Sequence, residues 1–408
     1  MPEAVIVSAV RSPIGRAFKG SLAAERPEDL ALAVIREALA RVPQLDPTTI
    51  DDLMLGCGLP GAVQGNNLGR VIAVLLGYDG LPGTTVTRYC ASSVQTTRMA
   101  FHAIRAGEAK ALISAGVEAV SSQLEASSDV IPGMDVRHPA FREAIERTEL
   151  AAGQEDSAWT DPRDRGLIPD VYMAMGQTAE NVAQFRGISR ADQDAWAELS
   201  QARARDAAAR GHWDAEITPY ERADGVRVTS DDSPRPTTTL AGLADLKPAF
   251  RPGGSVTAGN SCPLNDGAAA LIVMSDERAA ELELVPLARI VATGVSGLSP
   301  EIMGLGPVGA SKAALGHAGL LASDIDLWEI NEAFAVQVIA SMQDLEIPAD
   351  RLNVNGGAIA LGHPFGMTGA RMITTLINNL RDRDQTTGVV SMCVAGGQGM
   401  ALVLERLS

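Results

Sequence analysis

Along this chain, short and almost continuously apolar runs alternate with stretches whose apolar residues recur every three or four positions. Residues 4–10, AVIVSAV, and 109–116, AKALISAG, read as buried strands. Glu28 to Ala40, EDLALAVIREALA, reads as an amphipathic helix, and residues 46–55 as a helix-cap signal followed by a short strand. A Gly-rich loop, GCGLPGAVQGNNLG, leads into a helix at RVIAVLLG. The run from Thr84 to Ile104, TTVTRYCASSVQTTRMAFHAI, begins with β-forming residues and then takes up helical periodicity through Val94, Met99, Ala100 and Ile104. Cys90 falls where the strand hands over to the helix.

The texture changes near Val120. Residues 121–170 are polar, charged and poor in strand signal, and so long an irregular stretch in a compact domain usually has a functional reason. Helices follow at Met175–Phe185 and from the capping signal Ser189-Arg190-Ala191-Asp192 through Gly211. A pair of short strands is expected within 216–228. Residues 257–270, TAGNSCPLNDGAAA, read either as a loop for a phosphate or amide ligand or as an ordinary turn with a helix start.

The second half repeats the first. VIVSAVRSP corresponds to RIVATGVSGLSP, and LDPTTIDDLMLG to the end of SKAALGHAGLLASDIDLWEIN. The Cys90 run corresponds to NVNGGAIALGHPFGMTGARMITTLI, and AKALISAGVEAV to GVVSMCVAGGQGMALVLERL. A duplicated layered α/β unit predicts a pseudo-two-fold body whose equivalent loops converge on one cleft. The expected boundaries are 1–120 with 251–275 for the first half, 121–250 for an inserted loop domain, and 276–408 for the second half.

Composition narrows the function. The 408 residues suffice for two to three domains. A net charge of −16 and an aromatic content of 4% argue against nucleic-acid binding, though a few local Arg and helix N-termini still suit a phosphorylated small ligand. The four cysteines, Cys57, Cys90, Cys262 and Cys393, have neither zinc nor CxxC spacing, so reduced thiols and no metal are expected. No apolar run is long enough for a membrane span, and neither the start nor the end of the chain reads as a targeting signal, so a cytoplasmic location is expected.

Cys90 at a strand-to-helix corner meets free N–H groups and a helix dipole. A thiol there is expected to ionise below the ordinary value of about 8.5. The alternative is an inert buried cysteine. His363, in GGAIALGHPFGMTGAR, lies in the second copy's counterpart of the Cys90 region; it is a base for a thiol nucleophile or a structural histidine in a Gly-rich turn. Cys393 precedes Ala395, Gly396 and Gly397, which either expose backbone amides or simply form a β-turn. Asn331, at a strand end in NEAF, either holds water or caps a helix. Arg235 is a phosphate contact or a solvated loop residue.

These pieces together resemble the thiolase family: RYCASS around Cys90, MGQTAENVA, VTAGN with LNDGAAA, NEAFA, GGAIALGHPFGMTGAR and CVAGGQG, in the family's order and over nearly the whole chain. The resemblance implies an α/β, five-layer αβαβα thiolase-like fold, built from two pseudo-symmetric βαβαβαββ halves with an inserted loop domain. It implies CoA-dependent thiolytic cleavage of 3-ketoacyl-CoA, or the reverse condensation of two acetyl-CoA. Coenzyme A is then a co-substrate, with no permanent cofactor. Carried over by motif, Cys90 is the acyl-accepting nucleophile, His363 its activating partner and Cys393 the acid/base at the α-carbon. Asn331 holds a water at the enolate oxygen, and the N–H groups of Cys90 and Ala395 form an oxyanion hole. Arg235, Cys262, Met175, Phe250, Ala258 and Met303 are the implied CoA and acyl contacts. The family also implies a homodimer or homotetramer and admits β-oxidation enzymes as partners.

The pattern departs from the family at Thr87, often Asn; at Ser93 and Ala395, often Gly; at Cys262, often Ser; and at Ala174, where biosynthetic members tend to carry His. Ala174 and the polar stretch 129–170 favour a degradative enzyme of longer or unusual acyl chains. Ketoacyl synthases pair Cys with two His or His and Asn, whereas this chain offers a second cysteine. A non-catalytic CoA- or lipid-binding relative would be expected to lack the nucleophile or the histidine.

Overall fold

The computed structural model describes residues 1–123, 137–154 and 158–408. The first half runs β1 (Ala4–Arg11), β2 (Gly15–Arg16), α1 (Pro27–Ala40), β3 (Asp52–Cys57), α2 (Leu68–Leu75), β4 (Gly83–Val86), α3 (Ser92–Arg105) and β5 (Ala111–Ala119). An insertion follows with α4 (Val120–Gln123), α5 (Arg142–Ala152), α6 (Met175–Arg186), α7 (Arg190–Ala209), β6 (Tyr220–Glu221), β7 (Arg227–Val228) and α8 (Leu240–Ala244). The first half closes with β8 (Asn265–Ser275) and α9 (Asp276–Glu281). The second half comprises β9 (Ala288–Gly297), α10 (Gly306–Ala318), β10 (Leu327–Ile330), α11 (Ala335–Asp344), α12 (Ala358–Leu361), α13 (Phe365–Asp382), β11 (Thr387–Val394) and β12 (Gln398–Arg406).

The strand order makes the duplication visible. From the middle outward, β1-β8-β5-β3 on one side matches β9-β12-β11-β10 on the other. The outermost of these pairs, β3 with β5 and β10 with β11, are parallel, and the inner pairs are antiparallel. The two half-sheets join through Val5 and Ile6 of β1 against Arg289 and Ala288 of β9. The symmetry breaks at the rim. The first half adds β4 beside β3, whereas the second has a single bridge, Trp328 to Leu352.

Five layers result. α1 packs on β8 and β5, and α10 on β9, β12 and β11, as the outer layers. Between the sheets lie α3 and α13, each touching strands of both halves. A helix in that position needs apolar or paired residues all round. Accordingly α13 is buried from Gly366 through Leu380, and α3 turns inward Val94, Ala100 and Ile104 with Thr96 and Thr97, whose hydroxyls reach Ser93 O and Ser114. The backbones come so close that a Cβ on Gly116 would stand 2.1 Å from Gly366 O. The insertion is tied to β1 through a buried network: Arg11 donates to Glu216 at 2.6 Å and to both oxygens of Asp231 at 2.7 and 2.9 Å.

Most expected elements appear near their expected limits, including the capping box of Ser189 and Asp192 on α7. Two differ. NDGAAALIVMS is a strand, β8, from its first residue: pairing with β1 and β5 along its length overrides the helix preference of its Ala run. Within 121–170, α5 is helical although only Ala144 and Thr148 are buried, so its apolar stripe is too thin to read. The rest of that stretch at 124–136 and 155–157 lies outside the described residues. Among the described residues, no helix is long and apolar enough to cross a membrane.

Candidate active site

The corner at Cys90 is built by β4, a short turn over Tyr89–Ala91 and α3. Tyr89 takes φ +44°, a left-handed conformation costly for a bulky residue, immediately before the cysteine. Ser92 Oγ accepts from Arg88 N and donates to Tyr89 O, which holds the turn. The unusual Thr87 donates to Gly58 O at 3.0 Å, so it anchors the loop after β3. The unusual Ser93 accepts from Ala370 N at 2.9 Å, which fastens α3 to α13.

This turn packs against α13 and β11, bringing the second half's residues to the corner. Cys393, at the end of β11, is buried, whereas Cys90 is half-buried. The backbone N–H groups of Cys90 and Ala395 both face the Cys90 sulfur and favour its anion. Ala395 achieves this at an ordinary φ; the left-handed positions fall on Gly396 and Gly397. The Cβ of Ala395 is therefore no obstacle.

The expected acidification of Cys90 does not occur. Burial pushes its thiol well above the ordinary value, and the neighbouring Cys393 and Glu118 push it further. Removal from water outweighs the two N–H groups. Burial also raises Cys393, to about 12, with Cys262 adding to the effect. Both cysteines rest as thiols.

His363 is almost fully buried just before α13. Gly362 precedes it at φ +111°, where a Cβ would meet the Asn265 side chain at 2.6 Å. Asn265 Oδ1 in turn accepts from His363 N at 3.0 Å. The ring's tautomer follows from its neighbours. Thr368 Oγ1 gives its only proton to Pro364 O at 2.7 Å, so toward His363 Nδ1, 2.7 Å away, it can only accept. The ring proton is therefore on Nδ1 and the lone pair on Nε2. Asn331 Nδ2 faces that lone pair at 3.3 Å. Burial, helped by the Arg371 cation, lowers His363 to about 3, so the ring is a neutral base.

Asn331 follows β10 and does not cap a helix; Phe334 occupies the N-cap of α11. Its carbonyl oxygen accepts from Gln337 Nε2, while Asn331 Oδ1 is buried without a hydrogen-bond partner among the described residues.

The implied substrate contacts divide. Phe250 packs over Gly176 beside Met175 and meets Phe334 edge-on at 6.1 Å. Cys262 N donates to Ala333 O, and the Cys262 thiol lies near Cys90; burial raises it, with Cys90 adding to the effect. Met303 is buried in the same apolar cluster as Cys393 and Phe334. Ala258 is exposed on its loop. Arg235 lies beside Arg16, and burial and that cation lower its pKa. The sequence reading missed Thr368, Asn265 and Glu118, although Thr368 and Asn265 lie inside the motifs GHPFGMTGAR and LNDGAAA.

A fold in which one half presents a thiol to two converging N–H groups, and the other carries a neutral imidazole just ahead of the helix packed on that corner, is an acyl-transfer scaffold. The chain matches the thiolase N-terminal domain over residues 4–277 and the thiolase C-terminal domain over residues 284–406. It is 43% identical to the 3-ketoacyl-CoA thiolase of Cronobacter sakazakii, with all of both chains covered. It is 40% identical to a beta-ketoadipyl-CoA thiolase of Acinetobacter baylyi, again over both full lengths. Human mitochondrial 3-ketoacyl-CoA thiolase in complex with CoA superimposes with a TM-score of 0.85 at 33% identity, covering 100% of this chain and 98% of that one. The chain belongs to the thiolase family.

Proposed function

We propose that this protein is a degradative 3-ketoacyl-CoA thiolase working through an acyl-Cys90 intermediate. The observation that carries this reading is the convergence of the Cys90 and Ala395 N–H groups on the Cys90 sulfur, with Cys393 beside it. In the forward reaction Cys90 attacks the 3-keto carbon as its proton passes to His363 Nε2. The C2–C3 bond then breaks, and the electron pair leaves as the acetyl-CoA enolate. Asn331 and His363 face the enolate oxygen. Cys393 gives its proton to C2, releasing acetyl-CoA. A CoA thiol then attacks acyl-Cys90, giving its proton to the Cys393 thiolate, while the two N–H groups hold the tetrahedral oxyanion. As the adduct collapses, the C–S bond to Cys90 breaks and Cys90 takes its proton back from His363, which releases the shortened acyl-CoA. Losing one such preorganised donor costs about 3–4 kcal/mol of barrier. Thiols that rest neutral suit this sequence, because each proton must move only as a bond forms or breaks.

Residues 121–250 act as the lid over CoA. Arg235 and Arg16 form a pair of like charges that the nucleotide phosphates would relieve. Met175, Phe250, Cys262 and Met303 line the pantetheine and acyl path, and Ala258 meets CoA from the loop rim. The residue at 174 is Ala, which supports degradation over acetyl-CoA condensation. A second copy pairs at the first half's rim: β4 ends the sheet, and Val74 and Leu75 of α2 with Tyr89 leave exposed apolar surface there. The protein works in the cytoplasm alongside the other β-oxidation enzymes.

The assay is CoA-dependent loss of the Mg-enolate absorbance of 3-ketoacyl-CoA across chain lengths, with 3-oxoadipyl-CoA included. Turnover on at least one substrate is expected. No turnover on any of them by folded protein overturns the reading.

A further inference from the structure

Glu118 lies in β5, fully buried, and the thiolysis chemistry does not use it. A buried carboxylate normally needs a cation or several donors. Glu118 has donors from three directions. Gly58 N at 2.7 Å and Leu59 N at 3.2 Å come from the loop after β3. Gln64 Nε2 comes in at 2.8 Å. Gly366 N at 2.8 Å comes from the first turn of α13. Cys57 Sγ stands 3.9 Å away. Each of the four nitrogens is a donor, so the surroundings are shaped for the ionised form.

The elements that meet here are the supports of the two catalytic loops. Gly58 O accepts from Thr87, which leads into the Cys90 corner. Gly366 lies three residues beyond His363. We propose that Glu118 is a positioning residue: its carboxylate clamps the loop beneath the Cys90 corner to the first turn of α13, keeping nucleophile and base in register. The inference rests on the thiolase reading of Cys90 and His363. The groups that face Cys90 are Cys393 from β11, Cys262 from the loop before β8 and Glu118 from β5. Burial raises the Glu118 carboxyl, while its four donors favour the charged form; when charged, it opposes a thiolate at Cys90.

Two variants separate position from charge. Glu118→Gln keeps the size but turns an amide donor toward four donors. Glu118→Asp keeps the charge and shortens the reach by one methylene. In E118Q, kcat is expected to fall at least tenfold, about 1.4 kcal/mol, with KM for CoA within twofold. Alkylation of Cys90 by iodoacetamide, followed by peptide mass spectrometry without substrate, is expected to move to lower pH in E118Q and to stay in place in E118D. E118D is expected to recover part of the lost kcat. Wild-type kcat in folded E118Q, or identical pH profiles for Gln and Asp, overturns the clamp. Should E118Q fail to fold, E118D decides alone, and a kcat within twofold of wild type overturns the proposal. The alkylation profile needs no turnover, so it reads Glu118 even if the thiolase assay is negative.

Discussion

The two halves of this protein share one topology and use it differently. The first half offers Cys90 on a half-buried corner, with Tyr89 forced left-handed ahead of it and backbone amides aimed at the sulfur. The second half offers His363 at the equivalent place, buried, with Thr368 fixing its tautomer and Asn331 facing its free nitrogen. In the proposed reaction one copy of the unit presents the attacking atom, and the other protects the protonation state of the base. Duplication supplies the convergence of loops; divergence of a few loop residues supplies the chemistry.

The sharpest way to break the comparison is to remove the presented atom. Cys90→Ser leaves an oxygen nucleophile of much higher pKa, and thiolysis is expected to fall by at least about 10³-fold with the fold unchanged by circular dichroism. A rate near wild type would move the nucleophile elsewhere. Next is the protected base. His363→Ala is expected to cost about 10²–10⁴-fold in kcat, the usual range for a general base. The tautomer lock comes third. Thr368→Val keeps the shape but removes the acceptor for Nδ1–H, and kcat is expected to fall about tenfold. Unchanged kcat would mean that packing alone orients the ring. Smallest is the link between the halves. Ser93→Ala removes the bond to Ala370 N and is expected to cost about 1 kcal/mol in urea unfolding with little change in kcat.

A pH experiment sharpens the same contrast. His363 is depressed from 6.5 to about 3 by folding, so between those values only the unfolded chain binds its proton. Stability from this group is full above pH 6.5 and is lost as pH falls toward 3. His363→Asn is therefore expected to lose less melting temperature than wild type between pH 7 and pH 4. Equal losses would mean that the imidazole is protonated in the folded protein.

Much of this was legible in the chain. The duplication, the strand-to-helix corner at Cys90 and the place of His363 ahead of α13, the counterpart of α3, could be read because each is a local pattern repeated at a fixed distance. Thr368 and Asn265 sat inside quoted motifs, yet their partners lie five and 98 residues away in sequence, and no local pattern reports such bonds. Glu118 sits within an apolar strand run and has donors up to 248 residues distant. The ionisation of Cys90 was misjudged for a related reason. A helix start is visible in sequence, but the depth at which the fold buries it is not, and desolvation outweighs the dipole. β8 was less plain than the equally buried β1 and β5 because its first part, NDGAAA, follows a turn signal and is rich in Ala, which also fits a helix start.

Three thiols, Cys90, Cys262 and Cys393, share one site. The most direct test is therefore to find which one carries the acyl group. The protein is mixed with a 3-ketoacyl-CoA in the absence of free CoA, quenched in acid, digested and analysed by peptide mass spectrometry. Acylation is expected on Cys90 alone. An acyl group on Cys393 or Cys262, with Cys90 unmodified, would contradict the account.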